Sequence, residues 1–139
     1  MAIDTLFAGV TFLLGRLLFG GIIAFMGLNH FLNREDMIGY ATHKGIPAPQ
    51  VAVLGSGFLL VTSGIGIIVG LFEIVAAIGI AGFLIISAIT MHDFWNINDP
   101  EQQQTEMTQF LKNVALAGGA LILLAIGGIN WPYAVTLGL

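Results

Sequence analysis

The chain has 139 residues, of which 57% are hydrophobic and only 9% are charged, and its formal net charge is −4. A soluble domain needs about 25% charged residues, so most of this surface is expected to face lipid. Four basic side chains without a cluster argue against nucleic-acid binding. The absence of cysteine excludes disulfides, iron–sulfur clusters and thiolate metal sites from this chain. Any redox role would therefore need a bound cofactor, a quinone or a partner subunit.

Four apolar segments are each long enough to cross a bilayer, which takes about 20 apolar residues per helix. In chain order they lie at about 5–32, 50–70, 74–95 and 108–129. Their apolar runs are continuous and lack the alternation that is typical of barrel strands. The sequence therefore predicts an all-α fold with a single transmembrane domain over residues 1–139. This domain is a four-helix bundle, and the chain is a multi-pass protein of the cell membrane.

The polar segments between the spans predict how the bundle meets water. Residues 37–45 predict a short interfacial helix between spans 1 and 2, ended by the turn at Pro47 and Pro49. Residues 96–107 are polar and predict the longest water-exposed loop. After the fourth span, Trp131 and Tyr133 predict an aromatic anchor at the membrane interface.

Glycine is abundant, with 19 residues, most of them within the spans. Pairs such as Gly66 and Gly70 place small side chains on one helix face, which lets helices approach closely in lipid. The pattern predicts packing within the chain, and it leaves open a seam for a second copy or for other membrane subunits. Membrane lipid is the other expected partner, and no nucleic acid is expected.

Arg16 lies well inside the first span, where a lone charge is costly in lipid. It must reach the nearer interface, face a polar pocket or pair with an acid. Glu73 is the acidic residue in the turn between spans 2 and 3, on the same side of the membrane. We therefore predict an Arg16–Glu73 contact, which either stabilises the bundle or binds the head group of a ligand.

Several polar residues fall near span ends on the opposite side of the membrane. If the spans run up and down in turn, these residues share one depth: Asn29, His30, His92, Asp93, Trp95, Lys112 and Asn113. His92, Asp93, His30 and Lys112 are the candidate catalytic residues, and Asn29, Trp95 and Asn113 are further candidates for ligand binding.

Three interpretations of this layer remain open. In the first, the residues only mark the water boundary and cap helix ends, and in the second they bind and protonate a quinone or other small carbonyl ligand. Two histidines can also ligate a metal or haem. Haem is disfavoured because its ligands usually lie deeper in a bundle, and no metal site is predicted.

Several motifs resemble the DoxX family of small membrane proteins. They are Arg16–Gly21, Met26–Phe31, Gly39–Ala41 with Lys44–Pro49, Gly64–Phe72, His92–Trp95 and Phe110–Gly119. The resemblance implies a four-helix membrane fold and a link to oxidoreductase systems, since DoxD relatives are subunits of thiosulfate:quinone oxidoreductase. Family members often carry a glutamate near the position of Leu60, and a Thr-Arg pair where this chain has Glu73 and Ile74.

Together these observations predict a subunit, or a quinone-binding component, of a membrane redox complex. A structural or assembly subunit without chemistry is the first alternative. A transporter for a small solute is the second, and it is disfavoured because the second and third spans are nearly apolar.

Overall fold

The computed structural model describes residue 3 and residues 5–135, and every regular element in that part of the chain is helical. In chain order the elements are α1 (Leu6–Leu32), α2 (Arg34–His43), α3 (Pro49–Val69), α4 (Glu73–Met91), a short 3₁₀ turn (Phe94–Asn96) and α5 (Pro100–Ala125). The helices α1, α3, α4 and α5 are long and apolar enough to cross a membrane. The predicted four-helix membrane bundle is confirmed, with α2 as the short helix between the first two spans.

The helices α1 and α3 pack almost backbone to backbone, because glycines lie where they cross. A Cβ atom added to Gly27 would lie 2.6 Å from the amide nitrogen of Val61 and 2.7 Å from the carbonyl oxygen of Gly57. A Cβ atom on Gly64 would lie 2.6 Å from the carbonyl oxygen of Gly20. Small residues on these two helices therefore serve contacts within the chain, as close packing in lipid requires.

The glycines predicted to form a pair at 66 and 70 have a different role. Gly70 ends α3 with φ +71°, a left-handed conformation that favours glycine, and its amide bonds back to the carbonyl of Gly66. A Cβ atom on Gly66 would lie 2.8 Å from the carbonyl oxygen of Leu71. This pair therefore shapes the sharp turn into α4.

The polar segment predicted as a loop over residues 96–107 is largely helical. Asp99 caps α5 because its side chain accepts a hydrogen bond of 3.0 Å from the amide of Gln102, and Pro100 occupies the first turn. The helix therefore begins at Pro100 and not near residue 108 as predicted. This earlier start places Glu106 on a helix face shared with Gln109 and Asn113, at spacings of three and seven residues.

The segment that follows α5 folds back over the turn between α3 and α4. The amide of Val135 donates to the carbonyl of Val69 over 2.8 Å, and the indole nitrogen of Trp131 donates to the carbonyl of Ile126 over 2.9 Å. Trp131 is only 7% exposed, so its predicted role as an interfacial anchor is wrong. Tyr133, by contrast, is exposed.

Candidate functional site

Arg16 is 1% exposed, and its guanidinium bonds to the main chain of two other segments. Its Nε donates to the carbonyl of Ile67 over 3.0 Å and its Nη2 to the carbonyl of Ile68 over 2.6 Å. Its Nη1 donates to the carbonyl of Pro132 over 2.7 Å. The rings of Phe12 and Trp131 lie 5.7 and 5.4 Å from the guanidinium carbon, which adds cation–π attraction.

The predicted Arg16–Glu73 contact is wrong, because Arg16 donates to carbonyls and forms no ion pair with Glu73. The last carbonyls of a helix lack partners within the helix and carry its negative dipole end, so the end of α3 attracts a cation. Glu73 opens α4, where the positive end of the helix dipole favours an acid. Arg16 therefore has structural partners in the main chain, and Glu73 suits its place at the start of α4.

A cavity of about 590 Å³ lies at the opposite end of the bundle, beneath α2. Its lining residues are Met26, Asn29, His30, Met37, Tyr40, Ala41, Ile46, Pro47, Ala52, Val53, Ser56, Phe83, Ile86, Ser87, Thr90, Met91, His92, Gln109, Lys112 and Asn113. Most of the wall is apolar, and the polar groups are few. This combination is typical of a site for a small, largely apolar ligand.

Five of the residues predicted for the functional layer line this cavity: Asn29, His30, His92, Lys112 and Asn113. The up-and-down order of the spans brings them together from α1, α5 and the end of α4. Asp93 and Trp95 are not among the lining residues. His43 is exposed on α2.

His30 lies at the buried end of the cavity and is 7% exposed. Its Nδ1 is 3.1 Å from the carbonyl oxygen of Val53 and 3.0 Å from the hydroxyl of Ser56. A carbonyl only accepts, so Nδ1 carries the hydrogen and the neutral ring keeps Nε2 as an acceptor. The ring also packs edge-on against Phe83 of α4, with centroids 5.7 Å apart.

Asn113 is 2% exposed, and its Nδ2 donates to the hydroxyl of Ser87 over 3.4 Å. Its Oδ1 is the buried side-chain atom without a hydrogen-bond partner in the described part of the chain. An unsatisfied buried polar atom costs about 1–3 kcal/mol, so it indicates a missing partner. The atom belongs to a residue of the cavity wall, which suits a polar group on a ligand.

Glu106 of α5 joins two residues of the cavity wall, Tyr40 and His92. One carboxylate oxygen accepts from the hydroxyl of Tyr40 over 3.0 Å, and the other accepts from Nδ1 of His92 over 2.7 Å. The Tyr40 hydroxyl also lies 3.1 Å from the carbonyl oxygen of Met91. Burial, with the neighbouring Glu106 carboxylate, raises the pKa of Tyr40 well above its ordinary value, so this hydroxyl stays protonated at neutral pH. His92 is thereby oriented with Nε2 as its free nitrogen.

The sequence analysis did not include Glu106 or Tyr40 among the candidate site residues. The signal for Glu106 was the Asp99-Pro100 pair, which is typical of a helix start and would have placed residue 106 on the same face as Asn113. No comparable local signal identified Tyr40. Its role depends on α2 folding back over the bundle.

Asp93 and Trp95 have roles outside the cavity. Asp93 forms an ion pair with Lys44 at the end of α2 and accepts from the side chain of Asn96 over 3.0 Å. Trp95 is exposed and packs with Phe94 and Phe110, with ring centroids 5.3 to 5.7 Å apart. The Lys44–Asp93 pair holds α2 in place, and the aromatic cluster suits the membrane interface.

Replacing Tyr40 by phenylalanine removes one hydroxyl that joins α2 to α5 and to the end of α4. We expect faster amide hydrogen exchange in residues 34–43 and a loss of about 1 kcal/mol in local stability. Tyr133→Phe is the matched control, because Tyr133 is exposed. Unchanged exchange in α2 of the Tyr40 variant would show that this hydroxyl does not hold the helix.

Within residue 3 and residues 5–135, no group of three or more His, Asp or Glu side chains lies close enough to hold a metal ion. The cavity wall carries two imidazoles and one amine, in His30, His92 and Lys112, and side chains of these types can bind polar groups and exchange protons.

The helices and the cavity define a multi-pass membrane protein with a ligand-sized site at one end of its bundle. Residues 11–93 match the DoxX family, and because this range is more than half of the chain, the chain belongs to that family. The match contains His30, Tyr40 and His92 and ends before α5, which supplies Glu106 and Asn113. No curated protein and no solved structure matches the chain significantly.

Proposed function

We propose that this DoxX-family protein binds a quinone at the end of its bundle and serves as the quinone-binding component of a membrane redox complex. The observation that supports this is the cavity of about 590 Å³, which has mostly apolar walls and polar groups at defined points. Ligand sites for small molecules usually enclose about 300–1,000 Å³. A quinone combines an apolar ring and tail with two polar oxygens, so it suits such walls.

The residues of the cavity fit the polar part of such a ligand. The unpartnered Oδ1 of Asn113 needs a hydrogen-bond donor, which the hydroxyl of a reduced quinone supplies, and Nδ1 of His92 bonds to Glu106, which leaves its second nitrogen available. A bound quinone supplies two-electron, two-proton redox chemistry. His92 is placed to exchange protons, and Lys112 contributes positive charge at the rim, where it donates to Gln109 over 2.7 Å. Because the chain lacks cysteine, electrons would come from a partner subunit.

The apolar centre of the bundle favours a binding site over a transport path. Ile23 lies on α1 between His30 and Arg16, and it is fully buried, as is Leu60 on α3. Leu60 also occupies the position where family members often carry a glutamate, so this chain has an apolar side chain at that depth. A solute path needs polar groups through the membrane.

Filling the cavity tests the proposed function. Ala52 lines the cavity, so Ala52→Phe is expected to abolish the binding of a short-chain quinone that the unaltered protein binds in detergent. Ala115 of α5 is exposed, and Ala115→Phe is the matched control that should bind normally. Calorimetric titration measures binding, and lipid extraction of the purified protein measures any quinone that it retains.

Two results would contradict this proposal. If the unaltered protein neither retains nor binds a quinone, the cavity has another purpose. Copurification with other membrane subunits in that case would support the assembly alternative. If Ala52→Phe and Ala115→Phe bind quinone equally well, the ligand occupies a site other than this cavity.

A further inference from the structure

We propose that the cavity selects the reduced form of its ligand, a hydroquinone whose hydroxyl groups donate hydrogen bonds, over the oxidised quinone. This inference rests on the proposed function and concerns the same cavity. The observation behind it is that the two buried polar side chains of the cavity wall, His30 and Asn113, each have a hydrogen-bond acceptor that no protein donor reaches.

The first acceptor is Oδ1 of Asn113. The amide is 2% exposed, and Nδ2 donates one of its two hydrogens to the hydroxyl of Ser87 over 3.4 Å. Water is therefore nearly excluded from the residue, and the described side chains leave Oδ1 without a donor. A quinone oxygen is itself an acceptor and leaves this atom unsatisfied. A hydroquinone hydroxyl satisfies it.

The second acceptor is Nε2 of His30. The carbonyl of Val53 fixes the ring hydrogen on Nδ1, so the neutral imidazole offers only a lone pair at Nε2. The ring is 7% exposed and packs between α3 and Phe83 of α4. Its orientation is therefore set by the protein before any ligand arrives.

The two acceptors lie around the same short stretch of α4. His30 contacts the ring of Phe83, and Asn113 bonds to Ser87, which lies one helical turn further along α4. One aromatic head group placed against this stretch can therefore face both residues.

The donors of the cavity wall are less available to a buried ligand oxygen. The hydroxyls of Ser56, Thr90 and Tyr40 already donate to carbonyl or carboxylate oxygens. Lys112 is exposed at the rim, and Asn29 and Gln109 are only partly buried, so water can satisfy their hydrogens. Ser87 and Nδ2 of Asn113 each keep one hydrogen, but Nδ2 is already bonded to Ser87, and Oδ1 of Asn113 is the buried side-chain atom without a partner among the described residues. A ligand that donates satisfies this atom, and a ligand that only accepts does not.

The experiment compares three related probes: a short-chain alkyl hydroquinone, the corresponding quinone and the hydroquinone dimethyl ether. Each is added to the unaltered protein in detergent, and oxygen is excluded. Calorimetric titration gives each dissociation constant. One buried hydrogen bond changes affinity about tenfold, so we expect the hydroquinone to bind about ten times more tightly than either other probe.

Two variants test whether Asn113 causes the preference for hydroquinone. Asn113→Leu keeps the side-chain volume but removes the acceptor, so it should bring the dissociation constant of the hydroquinone close to that of its dimethyl ether. Thr90→Val is the matched control, because Thr90 lines the cavity but its hydroxyl already donates to the carbonyl of Ile86 over 2.8 Å. The preference should survive in this control.

The outcomes separate this inference from the proposed function. If quinone binds as tightly as hydroquinone, or more tightly, selection for the reduced form is overturned while quinone binding stands. If no probe binds, the proposed function itself fails. A preference that persists in a folded Asn113→Leu protein would overturn the role of this residue. The comparison of probes on the unaltered protein remains decisive if that variant does not fold.

Discussion

Arg16→Gln is expected to lower the free energy of unfolding by about 3 kcal/mol or more, the largest loss expected for a single residue of this chain. Arg16 makes three hydrogen bonds to the carbonyls of Ile67, Ile68 and Pro132. Hydrogen bonds from a charged donor are each worth about 1.5–3 kcal/mol, and glutamine cannot reach both segments. The two α3 carbonyls and the folded-back segment would then lose their shared donor.

Thermal unfolding in detergent, followed by circular dichroism, measures this effect. Arg34→Gln is the control for removal of a positive charge, because Arg34 is exposed on α2 and should matter little. Glu73→Gln should cost less than about 1 kcal/mol, the usual range for a charge at a helix end. The losses from Arg16→Gln and Glu73→Gln should add in the double variant, and strong non-additivity would restore the direct pairing that the structure lacks.

Gly27→Ala is expected to be a strongly destabilising single-methyl change in the α1–α3 contact. The new Cβ would lie 2.6 Å from the amide nitrogen of Val61 and 2.8 Å from the Cβ of Leu60. Backbone atoms cannot rotate away, so α1 and α3 must separate. Overpacking of this kind typically costs about 1–3 kcal/mol, and separation would also shift His30, which lies one turn beyond Gly27.

The matched control is Gly21→Ala, because Gly21 is also in α1 but a Cβ there has no atom within 4 Å. In a helix interior alanine is favoured over glycine by about 1 kcal/mol, so this control should be neutral or slightly stabilising. Thermal unfolding of both variants in one detergent measures the difference. Equal melting temperatures would show that the crossing of α1 and α3 is looser than the structure indicates.

The spans and the shared depth of the polar layer could be predicted from the sequence because both depend on simple quantities. Apolar length fixes where a helix can cross lipid, and alternating direction brings His30, His92 and Asn113 to one end. The exclusion of Asp93 from the cavity was not predictable in this way. It depends on α4 ending at Met91 and on the pairing of Asp93 with Lys44.

The hydrogen-bond partners of Arg16 also could not be predicted from the sequence. A search for its partner among acidic side chains leads to Glu73, whereas main-chain carbonyls carry no signal in the sequence. Trp131 was mistaken for an interfacial anchor for a related reason. Tryptophan is a residue type that suits a membrane interface. The backbone after α5 folds back, however, and packs the ring of Trp131 against that of Phe12, with centroids 5.0 Å apart.

The bond between Arg16 and Pro132 joins residues 116 positions apart, and those to α3 join residues 51 and 52 positions apart. During synthesis, α1 therefore emerges long before any of these acceptors exists. Its guanidinium must wait at the bilayer surface or in the insertion machinery until α3 arrives. The final packing of the first helix is completed only after Pro132 has left the ribosome.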